Sequence, residues 1–516
     1  MAANVFDDHL WKPFHEKQYD LVLQRVARHL DTTRAADAIH IGGLALMQQD
    51  RVTDGINWLQ ASVALLKGNP DWFSNAITAT ANKKRYDAAL MFLDQGLALF
   101  PDHMRLRYLR AVIYTYVSRH DEALVILDQL IAEHPEYEEL YLTRGYALHM
   151  LSRFDDALAS YAKIKRTTPE QYEELLVNRH GVLMDLRRCQ EAYDLISKNF
   201  PTTTHPMTIY NNSLTELGLG HWPQAWHHYR TRPHVGLPPF LPRAERLEDL
   251  AGKELFLFCE QGFGDCIQFV RYAPLLNPAC AQMTIGTPPA LMRLFECLKD
   301  PRPFRLLTTG SQLRPPQPNQ PQIALPLLDA PALLNTTVAT IPSEIPYFKL
   351  PRLTPKWQRS DPRPHIGVVW AGASRKDDAR AFSVDQRRSV PFEIFAKLLD
   401  AHCDVVFVNM QLPGQAGAHP RMISVLERGF DMLDTALILD QLDLLITIDS
   451  SLCHLAGALG KSVWMLSRFD ACWRWFWNGE TASPWYPSMT IYRQLAHASW
   501  PAVVARVAHD LATTFG

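Results

Sequence analysis

Several short stretches combine residue types that can hold a phosphate or move a proton. Asp449-Ser450-Ser451 stands between the apolar run Leu444–Ile448 and a helical pattern over 452–460, with His454 one turn inside it. Backbone amides at a helix start lack partners and favour an anion, and serine hydroxyls add donors, so this pattern suits a diphosphate. The same residues also read as an ordinary Asp/Ser N-cap with His454 in the core. Gly262-Phe263-Gly264-Asp265 lies between the strand-length run Leu255–Cys259 and Ile267, Phe269, Val270, Ala273 and Leu276, which recur at helical spacing. Two glycines permit a tight turn that brings backbone close to a ligand. Asp265, in the next helix's first turn, reads by itself as an N-cap. Trp370-Ala371-Gly372 follows the strand-like "HIGVV", and Arg388-Ser389 stands further on. A small-residue loop at a strand's carboxyl end admits a ligand, and an arginine grips phosphate bidentately. Asn409 and Gln411, beyond "DVVFV", are candidate base or ribose contacts. Asp434-Thr435 reads equally as a further such contact or as a helix cap, and the Asp377-Asp378 pair, in a hydrophilic flap, could suggest a metal.

These residues need elements to position them. After Pro242, short apolar strand-like runs alternate with helical patterns in two sets, about 245–350 and 362–495, separated by "LPRLTPKWQRSDPRP". Alternation of this kind argues for parallel sheets covered by helices. Two Rossmann-like domains facing across a cleft are expected, closed by the amphipathic "SWPAVVARVAHDLATTF". The preceding half has a different period. Pro101, Pro135 and Pro169 are 34 residues apart, and Gly55, Ala89, Ala123 and Ala157 keep the same spacing. Ala192 and Ala225 continue it less regularly, while Gly43, Ala111 and Gly145 hold a small-residue position on the preceding helix. Small side chains let paired helices approach closely, and stacked pairs bury their faces only against neighbours. The fold class is therefore α + α/β, an α-solenoid followed by two α/β domains. The boundaries read as a helical segment over 1–33, repeats over 34–242, an acceptor-side domain over 243–357 and a donor-side domain over 358–516. Trp58, Trp72 and Tyr141 read as packing residues or as lining of the repeat groove; Trp475 and Trp477 read as core packing between the α/β domains rather than as faces stacked on a sugar or base.

Composition excludes some classes. The net charge of −2 gives no support for nucleic-acid binding or for an anionic membrane surface. The eight cysteines form no CxxC pair and no zinc-type spacing. No apolar run reaches the about 20 residues of a membrane helix, and "MAANVFDDHLW" lacks the pattern of a secretory leader. A cytoplasmic location without a membrane span is the expectation.

The 34-residue pattern over about 34–232 resembles the tetratricopeptide repeat. "EQGFGDCIQFVRYAPLL", "GVVWAG…RRSVP", "LDQLDLLITIDSSLCHLAGALGKSVWML", "CWRWFWNGETASPWYPS" and "IYRQ" resemble the glycosyltransferase half of repeat proteins related to family 9 glycosyltransferases, the heptosyltransferases. That resemblance implies a GT-B fold, a nucleotide-sugar donor held mainly by the second α/β domain, inverting transfer, and no metal or other cofactor. It places Asp265 as general base and Arg388 at the family's Arg-Ser position. Gly262, Gly264, Trp370, Gly372, Asn409, Gln411, Asp449, Ser450, Ser451 and His454 complete the expected donor and phosphate site. The repeats imply a protein or peptide acceptor in their groove, and a homo-oligomer through them is compatible. A lipid- or saccharide-directed transferase and a non-catalytic scaffold with a degenerate GT-B half are the alternatives.

Overall fold

The computed structural model describes residues 7–65, 68–165, 168–198, 205–233, 236–237, 240–310, 321–373, 375, 379–400, 404–411, 417–476 and 481–516. Asp377, Asp378, Cys403 and Trp477 lie outside the described residues. The chain divides into two compact units, residues 1–168 with 375–383, and residues 169–374 with 384–516.

The first unit is built from helical hairpins, and one turn recurs through them. Lys17, Asp50, Lys84, Ser118 and Ser152 all adopt left-handed backbone, with φ between 57° and 62°. At each, the following N–H bonds back across the helix end, as in Arg51 to the Leu46 carbonyl and Arg119 to that of Tyr114. This is a Schellman closure, repeated at spacings of 33 or 34 residues. The arginine after each of the last four turns pairs with an acid just inside the next helix: Arg51 with Asp54, Arg85 with Asp87, Arg119 with Glu122 and Arg153 with Asp156. The hairpin at Lys17 lacks the arginine but closes in the same way, its Gln18 N–H bonding to the Pro13 carbonyl at 2.8 Å, so the repeat geometry begins ahead of residue 34. Small residues do what their spacing predicts. A Cβ on Gly145 would lie 2.3 Å from the Tyr161 ring and one on Gly43 3.0 Å from Leu59, while Gly42, outside the 34-residue spacing, would bring one to 2.4 Å from Trp58. Ala89, Ala123 and Ala157 are fully buried. Trp58 therefore packs helices, and Trp72 stacks on Trp11 at 6.1 Å. The Tyr141 hydroxyl donates to the Pro135 carbonyl at 3.2 Å. Segment 375–383 belongs to this unit, with the Ser383 hydroxyl donating to the Met150 carbonyl at 3.3 Å.

The second unit opens with two more hairpins of the same kind, closed at Arg187 (φ 57°) and Gly220 (φ 83°). Their last helices do not end a separate array. Leu217, Trp222, Trp226 and Tyr229 share one apolar core with both sheets that follow. The first sheet contains β1 (Glu254–Phe258), β2 (Gln282–Thr287), β3 (Arg305–Thr308) and β4 (Gln322–Pro326), all parallel in the order β3-β2-β1-β4. The second contains β5 (His365–Val369), β6 (Val406–Asn409), β7 (Met422–Ser424), β8 (Leu444–Ile448), β9 (Val463–Ser467) and β10 (Met489–Arg493). Its order is β10-β9-β8-β5-β6-β7, again all parallel. Strands β5 and β8 are buried at every position, which is why they read as unbroken apolar runs. The terminal helix Trp500–Phe515 sets Trp500, Val503, Val504, Val507 and Leu511 into the common core. The chain is thus a helical repeat region joined to an α/β region of two parallel sheets. No helix among the described residues is long and apolar enough to cross a membrane.

Candidate active site

In the second sheet the chain leaves β5 toward β6 on one side and β8 toward β9 on the other. Loops that diverge at such a switch point leave a crevice beyond the strand ends. The loop after β5 carries Trp370–Gly372, and the loop after β8 carries Asp449–Ser451. Arg388 ties them together. Its Nη1 donates to the Asp449 carbonyl at 3.4 Å, and its Nη2 pairs with Asp385 at 2.8 Å. A Cβ on Gly372 would lie 2.6 Å from Arg388 Nε, so only glycine lets the guanidinium lie on this loop. That Nε is buried and has no hydrogen-bond partner.

Ser450 is the N-cap of the helix Ser451–Ala458, with extended backbone, yet its hydroxyl turns to Thr447 Oγ1 at 3.1 Å. No side chain caps this helix, so its first N–H groups remain directed at the crevice. His454, one turn in, is buried, and its Nδ1 lies 3.0 Å from the Tyr486 hydroxyl. It stacks on Trp475 at 5.3 Å between ring centres. Burial lowers its pKa to about 4, with Asp449 opposing, so the ring is neutral at ordinary pH. Asp449, Cys453 and His454 bring ligand atoms within 4.8 Å of one another, a grouping that could hold a metal. Burial pushes the Cys453 thiol well up, which keeps it a poor ligand.

The first sheet contributes the other wall. After β1 the chain turns at Gln261, whose φ is 64°, and enters the helix Phe263–Phe269. Here the structure corrects the sequence reading of the two glycines. Gly262 has an ordinary φ of −82°, and the left-handed residue is Gln261. Gly264 serves contact instead: a Cβ there would meet His454 Cδ2 at 2.9 Å and Ser451 Cα at 3.4 Å. Its missing side chain lets the two helix starts, one from each sheet, touch. Asp265 is the third helical residue, not the N-cap. Its Oδ2 accepts the Gly262 N–H at 3.1 Å, and its Oδ1 pairs with Arg474. Behind this turn Glu260 pairs with Arg232 and accepts the Leu328 N–H at 3.1 Å, and burial raises its pKa to about 7.

The structure brings Gly264, Asp265, Gly372, Arg388, Asp449, Ser450, Ser451 and His454 into one contiguous set. Other expected residues support it from behind. The Trp370 ring is buried against Phe392 and Phe395. Gln411 clamps the loop after β5, its Oε1 accepting from the N–H groups of Trp370 and Ala371 and its Nε2 donating to the Ala371 carbonyl. Asn409 in turn accepts the Gln411 N–H and donates to Ser424. Asp434 does belong to a helix cap: Asp431 is the N-cap and Asp434 completes its capping box, accepting the Asp431 N–H at 3.2 Å, while also binding Lys356 and Arg293. Sequence reasoning left Arg474 without a role and passed over Arg271 and Asp385. The signal for the two arginines was a cation inside an apolar or aromatic run, in "CWRWFW" and "IQFVRYAPLL".

No family model matches the sequence. Protein FlbA of Caulobacter vibrioides is 24% identical over 336 residues, which cover 57% of this chain and 53% of FlbA. The chain thus spans about half the length of that curated relative. Similar solved structures include the MamA protein (TM-score 0.27, 19% identity, 31% of this chain and 88% of that one). They also include a family 9 glycosyltransferase from Veillonella parvula (TM-score 0.34, 13% identity, 48% of this chain and 87% of that one). At these scores the likenesses carry no argument, and the fold assignment rests on the chain's own turns and strand order.

Proposed function

We propose that this chain is a glycosyltransferase that moves a sugar from a nucleotide-sugar donor to a protein acceptor, with inversion and without a metal. One observation carries the reading: a helix start bearing Asp265 meets the uncapped start of Ser451–Ala458 through the missing side chain of Gly264. A diphosphate at the uncapped start would face backbone N–H groups, the Ser451 hydroxyl and Arg388. In the reaction the acceptor's hydroxyl oxygen attacks the anomeric carbon from the face opposite the diphosphate. The bond from that carbon to the phosphate oxygen breaks, Asp265 takes the hydroxyl proton, and the nucleoside diphosphate leaves with both electrons. The helix start meets the charge developing on the leaving oxygen. The helical hairpins of the first unit are the surface on which we place a polypeptide acceptor.

A thermal-shift panel of nucleotide-diphosphate sugars, with and without EDTA, tests the donor half of this reading. One donor should raise Tm by mass action, equally with chelator, and replacing Ser450, Ser451 and His454 together should abolish the shift. A panel in which nothing binds, or a shift that disappears with EDTA, would contradict it.

A further inference from the structure

Arg474 lies between the two sheets' elements with its side chain only 9% exposed. Its Nε donates to Gln268 Oε1 at 2.8 Å, its Nη1 approaches Cys472 Sγ at 3.2 Å, and its Nη2 pairs with Asp265. The Trp473 ring supports the guanidinium at 4.4 Å. Asp265 is therefore occupied at both oxygens, by Gly262 on one and Arg474 on the other. Each oxygen keeps a second lone pair, but the guanidinium covers Oδ1 on the side facing the second sheet's elements. The bond to Gly262 is local to the turn, whereas the ion pair joins two sheets and is open to competition from another anion.

A second cation stands beside it. Arg271 is buried, donating from Nε to the Gln268 carbonyl at 2.8 Å, from Nη1 to the Trp485 and Pro342 carbonyls, and from Nη2 to the Tyr347 hydroxyl. The rings of Tyr347, Trp485 and Tyr486 surround it at 4.7 to 5.6 Å, and no carboxylate is among these partners. Gln268 thus bridges two buried guanidinium groups, of which one has a carboxylate partner. Buried positive charge is costly unless an anion completes it. Gly264, next to Asp265, touches Ser451 and His454, so a phosphate at that helix start would lie one residue from the ion pair.

We propose that Arg474 is shared between Asp265 and the donor's diphosphate: it holds the carboxylate while the donor is absent and turns to the phosphate when the donor binds. This rests on the glycosyltransferase reading and adds an order to it. Donor binding releases Asp265 Oδ1 for the acceptor's proton, so that oxygen is clear of the guanidinium only when there is a sugar to transfer.

Calorimetric titration of ADP, GDP, UDP and CDP into the full-length protein tests the sharing, with wild type, Arg474→Gln, Arg474→Lys and Asp265→Asn compared. The ligand-free Tm of each variant shows that it is folded. Arg474→Gln should weaken the preferred diphosphate roughly 10- to 100-fold, the value of a charge-assisted bond, with Arg474→Lys in between. Asp265→Asn should bind it more tightly than wild type, because the competing carboxylate is gone, and this gain should vanish in the Asp265→Asn/Arg474→Gln double variant, whereas relief of simple charge repulsion would persist there. Unchanged binding by Arg474→Gln would overturn the sharing and leave the glycosyltransferase reading standing. So would Asp265→Asn binding no tighter than wild type, an arm that holds even where Arg474→Gln does not fold. Wild type that binds none of the four diphosphates would overturn the reading itself.

Discussion

Asp265 and His454 make contrasting demands on protons, and each can be tested by one substitution. Asparagine at 265 keeps an acceptor for the Gly262 N–H but cannot take a proton. Asp265→Asn should therefore lower kcat by about 10²–10⁴ while the helix start stays intact. Steady-state turnover with an acceptor that wild type uses well checks this; near-normal kcat would remove Asp265 as base. For His454 the sign follows from burial. Its pKa falls from 6.5 to about 4 on folding, so the unfolded chain takes up the proton first as pH drops. Its contribution is full above pH 6.5 and is lost as pH falls through 6.5 to about 4. Glu260 runs the other way: with its pKa raised from 4.5 to about 7, its contribution is full below 4.5 and lost as pH rises through 7. The Tm difference between wild type and His454→Gln, followed from pH 7.5 to 4, should narrow toward the acid end. A constant difference would show that the ring is not held neutral. At this scale the sequence revealed residues that sit where a strand joins a helix, because such joins are local. Arg474 escaped it, because a cation among tryptophans reads as packing and its partner Asp265 is 209 residues away.

Helices and loops explain which glycines matter. Gly264→Ala would force a methyl to 2.9 Å from His454 and so part the two helix starts. We expect a loss of about 1–3 kcal/mol and weaker nucleotide binding. Gly262→Ala is the control, since its Cβ would meet nothing nearer than Asp265 Oδ2 at 3.4 Å and its φ is ordinary. Denaturant unfolding of both variants distinguishes close approach from turn flexibility; equal losses would favour the turn. The repeats show the complementary limit of sequence reading. Their small residues kept a period of 34 and were legible as such. The turn that closes each hairpin was not, because its left-handed position is filled by Lys17, Asp50, Lys84, Ser118, Ser152, Arg187 and Gly220 in succession. Geometry recurs there while residue type does not, and this hid the first hairpin before residue 34.

Across the whole molecule, the change of period near residue 240 marks where strands begin, and we expect the foldable unit to begin earlier, because the helices before it share the core of both sheets. Trp226 donates from Nε1 to the Thr336 carbonyl at 3.1 Å and packs on Phe269 and Trp473. Arg232 pairs with Asp329 at 2.7 Å and with Glu260, and all three are nearly fully buried. A chain beginning at Arg243 would lose these aromatic rings from the core, leave buried Glu260 without its cation and leave Asp329 only Arg243 of its three arginines. Breaking such a pair costs about 3–5 kcal/mol even before the lost packing is counted. A chain beginning at Pro169 keeps them all, together with both sheets and every residue of the candidate site. The two truncations should therefore behave differently. The chain from Pro169 should melt cooperatively, and its Tm should still rise with the nucleoside diphosphate that stabilises the full-length protein. The chain from Arg243 should show no cooperative transition. If the shorter chain melts as sharply as the longer one and binds nucleotide equally well, the last two hairpins belong to the repeats alone, and the boundary returns to residue 242. Transfer to the native acceptor should be lost in both, since the first unit is where we place acceptor recognition. Full transfer by the chain from Pro169 would move that role into the α/β unit.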